Sequence, residues 1–573
     1  MQLSGRVSRA ALLVLTTLSA CAAMDGGWGD DRIGGSKASG AFGAFLAGRF
    51  AIQESDYQTA ADELAKASRD AAADTANDAG AGREISAQAF IAALLAGRSD
   101  AARLAARLPT NPVAQLVLAD EDAKAGRWAD AEARFAGLPQ EGVTQVLRPL
   151  LVAWAQAGAR HTPAALATLQ PLLDTPRLRG IAALHAALIA DLGDQAADAD
   201  RLYTLAKAEF GGTNLRLALA LASWQARQGN AAEAQRTIDA TTSGTGELAL
   251  ARAALEAIVS KRIINGATDG IAEVYLAVGA SVQQQTQAET AQVLLQLAIA
   301  MRPDLTAARL LTSDMLAVAK RYRPALAALA PVGADDPLAA PVQLHRATLQ
   351  DQLGESDDAV RTLDRLAAAF PARPEPLAQE GDIFRTKSRF PEAVAAYDRA
   401  IARIGTPSRA NWPLFYARGI AHERVGTWPK AESDFLYALQ LAPDQPSVLN
   451  YLGYAWTERD QNLPRARDMI QRAVELRPEE GAYIDSLGWI QLRQGDGPAA
   501  VKSLERAVEL EADDPVVNGH LGDALAAVGR MREAEFQWRR ALTLKPDAAD
   551  ARRIEAKLAT LPARPTPAVT PHR

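Results

Sequence analysis

Six histidines, at positions 161, 185, 345, 422, 520 and 572, are the side chains best suited to hold a metal or move a proton. No two of them stand at the i, i+4 spacing that lets one helix face grip zinc. His422-Glu423 begins like such a motif, but the second histidine would fall at Gly426, so His422 reads as a solvated helix residue. Neither a GxxxxGK[ST] phosphate loop nor a GxSxG nucleophile elbow occurs, which removes the usual scaffolds for phosphoryl and acyl transfer. The 68 acidic residues are too many to single out a carboxylate pair, because i, i+4 acids on helices are ordinarily a solvated face. The sequence therefore predicts no active site, metal or cofactor, and directs attention to binding.

Cys21 is the single cysteine, so no disulfide forms within the chain. Arg6 and Arg9 precede a short apolar run, Ala10 to Leu15, and Leu18-Ser19-Ala20-Cys21 follows. That run is too brief to span a bilayer permanently. With a leucine three before the cysteine and small residues between, the segment resembles the bacterial lipoprotein signal. The resemblance implies cleavage after residue 20, acylation of Cys21, and stable anchoring by its acyl chains. Such lipoproteins are retained at the inner membrane by an aspartate after the cysteine; Ala22 stands there instead, which implies the outer membrane and its periplasmic face.

The elements that would display a binding surface follow from composition and period. Of the 573 residues 48% are apolar and only 5% aromatic, a helix-favouring mixture dominated by alanine and leucine. The balance of 62 basic and 68 acidic residues, net −6, shows no basic run able to follow a phosphate backbone, so nucleic acid is not an expected partner. Residues 21–40 are glycine-rich and read as a flexible tether after the lipid site, with a reach of about 25 Å. Prolines at 562, 565, 567 and 571 mark residues 557–573 as a disordered tail.

Between these ends the chain repeats. Ala291, Ala325, Ala359 and Ala393 lie 34 residues apart, Ala466, Ala500 and Ala534 keep the same spacing, and Ala431 fits with a longer loop. Twelve before the alanine comes a glycine (Gly279, Gly381, Gly419, Gly488, Gly522) and four after it a large residue (Leu295, Tyr397, Phe435, Leu504, Trp538). This pattern resembles the tetratricopeptide repeat, a helix-turn-helix unit. Small residues at positions 8 and 20 would let the paired helices approach, glycine at 15 would make the turn, proline at 32 would end the second helix, and the large residue at 24 would fill the space between neighbours. The expectation is an all-α solenoid of thirteen or fourteen helix pairs with a concave groove. Residues 41–260 form degenerate repeats, Glu247 to Val259 an unpaired extra helix, and residues 261–556 the regular repeats.

In the tetratricopeptide family, positions 2, 5, 9 and 12 of the first helix line the groove. Carried onto matching positions, position 5 is Tyr416, Asn450 and Asp485, position 9 is Ile420, Tyr454 and Trp489, and position 12 includes Arg385 and Leu492, with Arg493 alongside. Gly488 would face the partner helix while Trp489, about 100° further round, would point into the groove. Polar and aromatic side chains on adjacent rungs suit an extended or helical peptide. Position 5 carries no lysine in the last four units, which argues against a clamp for a terminal carboxylate.

The phrases LNYLGYAWTERDQNLPRARDMIQRAVELRP and GAYIDSLGWIQLRQGD, the segment DGIAEVYLAVGASV at 269–282 and the lipobox together resemble a group of proteobacterial repeat lipoproteins. The best understood kind is the binding partner of a periplasmic carboxyl-terminal processing protease. The resemblance implies a non-catalytic adaptor that tethers the protease and delivers cell-wall hydrolases to it; an accessory lipoprotein of a secretion or polysaccharide-export complex is the alternative.

Overall fold

The computed structural model describes residues 41–73, 79–211, 214–243, 246–283 and 287–561. Cys21, the signal segment, the tether and residues 562–573 of the tail lie outside the described residues. Among the described residues there are 31 α-helices and no strand, and no helix long and apolar enough to cross a membrane. Set aside two short helices, Gly246–Ala249 and Arg252–Ile258, and the terminal Ala548–Ala559, and the rest fall in chain order into fourteen pairs.

The chain divides into two compact units, residues up to Ala114 and from Gln115 onward. In the first, Ala41–Gln53 packs on Tyr57–Ala73, which packs on Ala79–Leu95. In the second, four of the C-terminal pairs are held by a glycine notch under a large side chain sixteen residues later. A Cβ placed on Gly381, Gly419, Gly488 or Gly522 would lie 2.4 to 2.6 Å from Tyr397, Phe435, Leu504 or Trp538 respectively. The large residue at position 24, expected between neighbouring units, thus seats on the glycine of its own unit; only a missing side chain leaves it room. Gly453 repeats the notch against Ile470, one residue out of step. The turn inside the pair needs a left-handed residue, which Gly495 supplies at φ +84°. Lys320 and Ser388 take the same conformation in the equivalent turns, at φ +59°.

The inner face of the second unit is partly filled by its own chain. Helix Ala267–Gln283 packs not only on its hairpin partner but also against Thr144–Gly158 and Arg179–Leu192. Gly270 admits the Trp154 ring, where a Cβ would lie 2.3 Å from the nearest ring carbons. Tyr275 donates to Asp120 Oδ1 at 2.9 Å, and Trp154 Nε1 donates to His185 Nδ1 at 3.1 Å. Glu273 is buried and paired with Arg216 and Arg302. Because its inner face meets this helix, Arg179–Leu192 is buried almost all round from Ala182 to Asp191, and Leu215–Arg227 is buried from Leu217 to Trp224, where Leu219 and Ala222 pack with Ile238, Ala251, Leu255 and Leu338. Burial pushes Asp120 well above the usual carboxylate range and pulls His185 down to about 4.

Two expectations are corrected. Glu247 to Val259 is not one helix but two, because Leu250 inserts among Ala340, Leu344 and Leu363 while Ala251 and Leu255 insert among Leu219, Ile238 and Leu338. The tail does not start at residue 557: Ala548–Ala559 is helical, capped by Asp547, and its Ile554 closes the last hairpin against Leu521 and Trp538. The helix-breaking prolines begin only at Pro562.

Gly488→Leu forces a branched side chain into Leu504 and should cost about 3 kcal/mol, whereas Gly495→Ala meets no neighbour and should cost about 1 kcal/mol through backbone strain alone; urea denaturation of the full chain reads both. Equal losses would contradict the notch. For His185 the unfolded ring titrates near 6.5 while the native ring stays neutral down to about 4. Stability should therefore fall as pH drops from 6.5 towards 4, by on the order of 3 kcal/mol once complete, and His185→Gln should flatten that decline.

Candidate partner-binding surface

The first helices of the last units are Glu375–Thr386, Trp412–Arg424, Pro446–Glu458, Gly481–Arg493 and Pro515–Ala527. Most open with proline in the first turn, where its missing N–H costs no bond, and Asp514 caps the last by accepting from Val516 and Val517. Contacts run directly from Pro446–Glu458 to Gly481–Arg493 and on to Pro515–Ala527, so their side chains meet along one face.

Tyr416 and Ile420 are half-buried at the edge of an aromatic cluster. Tyr416 meets Tyr451 edge-on at 5.8 Å and Phe435 at 5.9 Å, and burial pushes its phenol up to about 12. Arg385 is tied to its own hairpin, donating to Tyr397 Oη at 3.2 Å and pairing with Asp382 at 3.1 Å.

Asn450, Tyr454 and Asp485 are brought together, lining an open concavity of ≈ 210 Å³ with Ser486, Glu511 and Asp514. Asn450 Oδ1 is buried there without a hydrogen-bond partner. Tyr454 is half-buried, and burial followed by the charges of Glu458 and Asp485 raises its phenol pKa. Glu511 accepts the Ala482 N–H at 2.9 Å.

Two groove residues are more committed than the spacing implied. Asp485 is not free to meet a ligand: only 6% exposed, it has both carboxylate oxygens 3.0 Å from His520 Nδ1. Trp489 does not project openly. Its ring stacks on His520, 4.2 Å between centroids and 16° from parallel, and its Nε1 donates to Glu458 at 2.6 Å. Arg493 lies over the same ring at 5.8 Å and pairs with Asp460 at 2.5 Å. The reason is His520, one repeat and one residue beyond Asp485, which offers a flat face to the indole and a ring nitrogen to the carboxylate. Sequence reasoning missed it, since the usable signal was a histidine following a position-5 aspartate by about one period. Gly488 does face the partner helix. His422, expected to be solvated, is 6% exposed and lies 2.9 Å from Thr427 Oγ1, bridging its own turn.

Burial opposes the charged form of His520, but the charge and hydrogen bond of Asp485 prevail and hold the ring above its ordinary value. Among the described residues no cluster of three or more potential metal ligands occurs.

Comparison with known proteins places the repeats. A tetratricopeptide repeat family model matches residues 344–408, 416–481 and 486–549. A TPR repeat-containing protein of Pseudomonas aeruginosa is 28% identical over 184 residues, covering 32% of this chain and 30% of that protein, so under a third of the relative's length is matched. Among solved structures, the Cut9-Hcn1 hetero-tetramer of APC/C matches over 90% of this chain and 95% of its own at 14% identity and TM-score 0.38. YrrB, a TPR protein with an unusual peptide-binding site, matches over 34% and 97% at 17% identity and TM-score 0.28. A tetratricopeptide repeat protein from Parabacteroides merdae matches over 44% and 96% at 13% identity and TM-score 0.34.

The Asp485–His520 pair should contribute fully below about pH 6.5, where the unfolded ring is also charged, and lose its contribution as pH rises through the elevated native value. His520→Ala strands a buried carboxylate and should cost about 3 kcal/mol, while Asn450→Ala, which removes an unbonded acceptor, should cost far less. Thermal melts across pH check both, and a His520→Ala variant as stable as the parent would contradict the pairing. The chain is thus all-α, and its residues 344–408, 416–481 and 486–549 are tetratricopeptide repeats.

Proposed function

We propose that the chain is a non-catalytic scaffold, acylated at Cys21 and held on the periplasmic face of the outer membrane, that recruits a carboxyl-terminal processing protease and its cell-wall hydrolase substrates. The observation that supports a peptide-binding role is the concavity between Asn450 and Asp514. Its buried, unbonded amide oxygen at Asn450 can accept a backbone N–H, Tyr454 gives contact area, and Glu511 and Asp514 favour a basic side chain on the incoming segment. Arg385, Tyr416 and Ile420 extend the same run of first helices, while Asp485 lines the concavity but is held by His520, and Trp489 and Arg493 are engaged with His520 and Asp460 beside it. The lipobox supports the anchor, and the match of 344–549 to an interaction repeat supports the scaffold.

Chain captured from detergent-solubilised membranes should bring down a periplasmic protease. Tyr454→Ala should weaken that association by about 2 kcal/mol, roughly thirtyfold, with helical content unchanged. Cys21→Ala should release the chain from the membrane fraction without abolishing the association. Recovery of a β-barrel pore protein instead of a protease would overturn the assignment in favour of an export complex.

A further inference from the structure

Three of the large apolar side chains exposed among the described residues belong to one helix, Phe42 at 73%, Leu46 at 51% and Phe50 at 65%. They fall four residues apart on Ala41–Gln53 and make one stripe about two turns long. The opposite face carries Ala44, Gly48 and Ala51, buried against Tyr57–Ala73, where a Cβ on Gly48 would lie 2.6 Å from Leu64 Cγ. The usual partition is inverted, with the smallest side chains inward and the largest apolar ones outward. Arg49 is the only charged residue of the helix.

The size of the stripe and its place in the chain narrow what covers it. Two phenylalanines and a leucine at these exposures present on the order of 400 Å², half of the roughly 800 Å² that each side of a stable protein complex buries. Alone, the stripe is too small to hold a second copy or a soluble partner. It is sufficient for a surface to which the chain is already attached, because an anchor converts docking into an intramolecular event. Cys21 precedes Ala41 by twenty residues, which even fully extended span at most about 70 Å. Acylation there keeps this helix within reach of the headgroup layer. A short helix with a phenylalanine and leucine face, one cation and no carboxylate suits the interface of an anionic leaflet.

We propose that Ala41–Gln53 is a membrane-interface helix that lays Phe42, Leu46 and Phe50 into the phospholipid leaflet holding the acyl anchor. This rests on the acylation of Cys21 read above. Since the acylated cysteine has no free thiol, Leu46→Cys and, as control, Lys66→Cys on the exposed side of Tyr57–Ala73 each give a unique labelling site. The full acylated protein carrying an environment-sensitive fluorophore at either site is reconstituted into phosphatidylethanolamine and phosphatidylglycerol vesicles. The label at 46 should brighten severalfold, shift to the blue and be quenched by brominated acyl chains, while the label at 66 should not. Phe42→Glu with Phe50→Glu should abolish that response while flotation with the vesicles persists. An unresponsive label at 46 on protein that floats overturns the interface helix and leaves the anchor standing. Failure of the parent chain to float overturns both. A concentration-dependent blue shift without quenching by brominated lipid assigns the stripe to a second copy and overturns the proposal.

Discussion

The contact on which the C-terminal array depends is a side chain that is not there. In hairpin after hairpin, a large residue rests where a glycine sixteen positions earlier has left the helix surface bare, so the two axes approach closely. Every other feature of the unit serves that approach: the left-handed turn at Gly495 sets the return of the chain, and small residues such as Ala500 line the seam at zero exposure. Gly48 under Leu64 shows the same sixteen-residue device in the first compact unit.

The regular half of the fold was legible because second helices such as Ser356–Ala369, Leu463–Leu476 and Gly497–Leu510 keep a one-sided buried face that repeats with the period of the unit. The degenerate half was not, for a definite reason. Helices such as Arg179–Leu192 are covered outside by their hairpin partners and inside by Ala267–Gln283, so nearly every position is apolar and the periodic signal fades. The segment DGIAEVYLAVGASV, which stood out in the sequence, is that covering helix. Residues that meet across distant hairpins of the second unit, such as Asp120 with Tyr275, are separated by 155 positions and leave no local trace.

At the candidate surface, the position-by-position carry-over placed its residues on the first helices of their hairpins but did not reveal the state of each side chain. Asn450 and Tyr454 line an open concavity, whereas Asp485 and Trp489 are engaged by His520. The difference arises because a groove position on one rung is within reach of the next rung, and its availability depends on what that neighbour offers. A carboxylate beside an imidazole is satisfied; an amide beside tyrosine is left with an acceptor unused.

The doubling of Ala267–Gln283 onto Thr144–Gly158 also bears on how the molecule answers tension. A stack whose members touch only their immediate neighbours extends under load like a coil, each junction yielding a little. Where a later helix is bolted across earlier ones by a glycine-seated indole and a buried glutamate between two arginines, that segment cannot lengthen without breaking the bolt. Elastic give is concentrated in the hairpins beyond it, where the open rungs can change pitch to follow whatever lies between them.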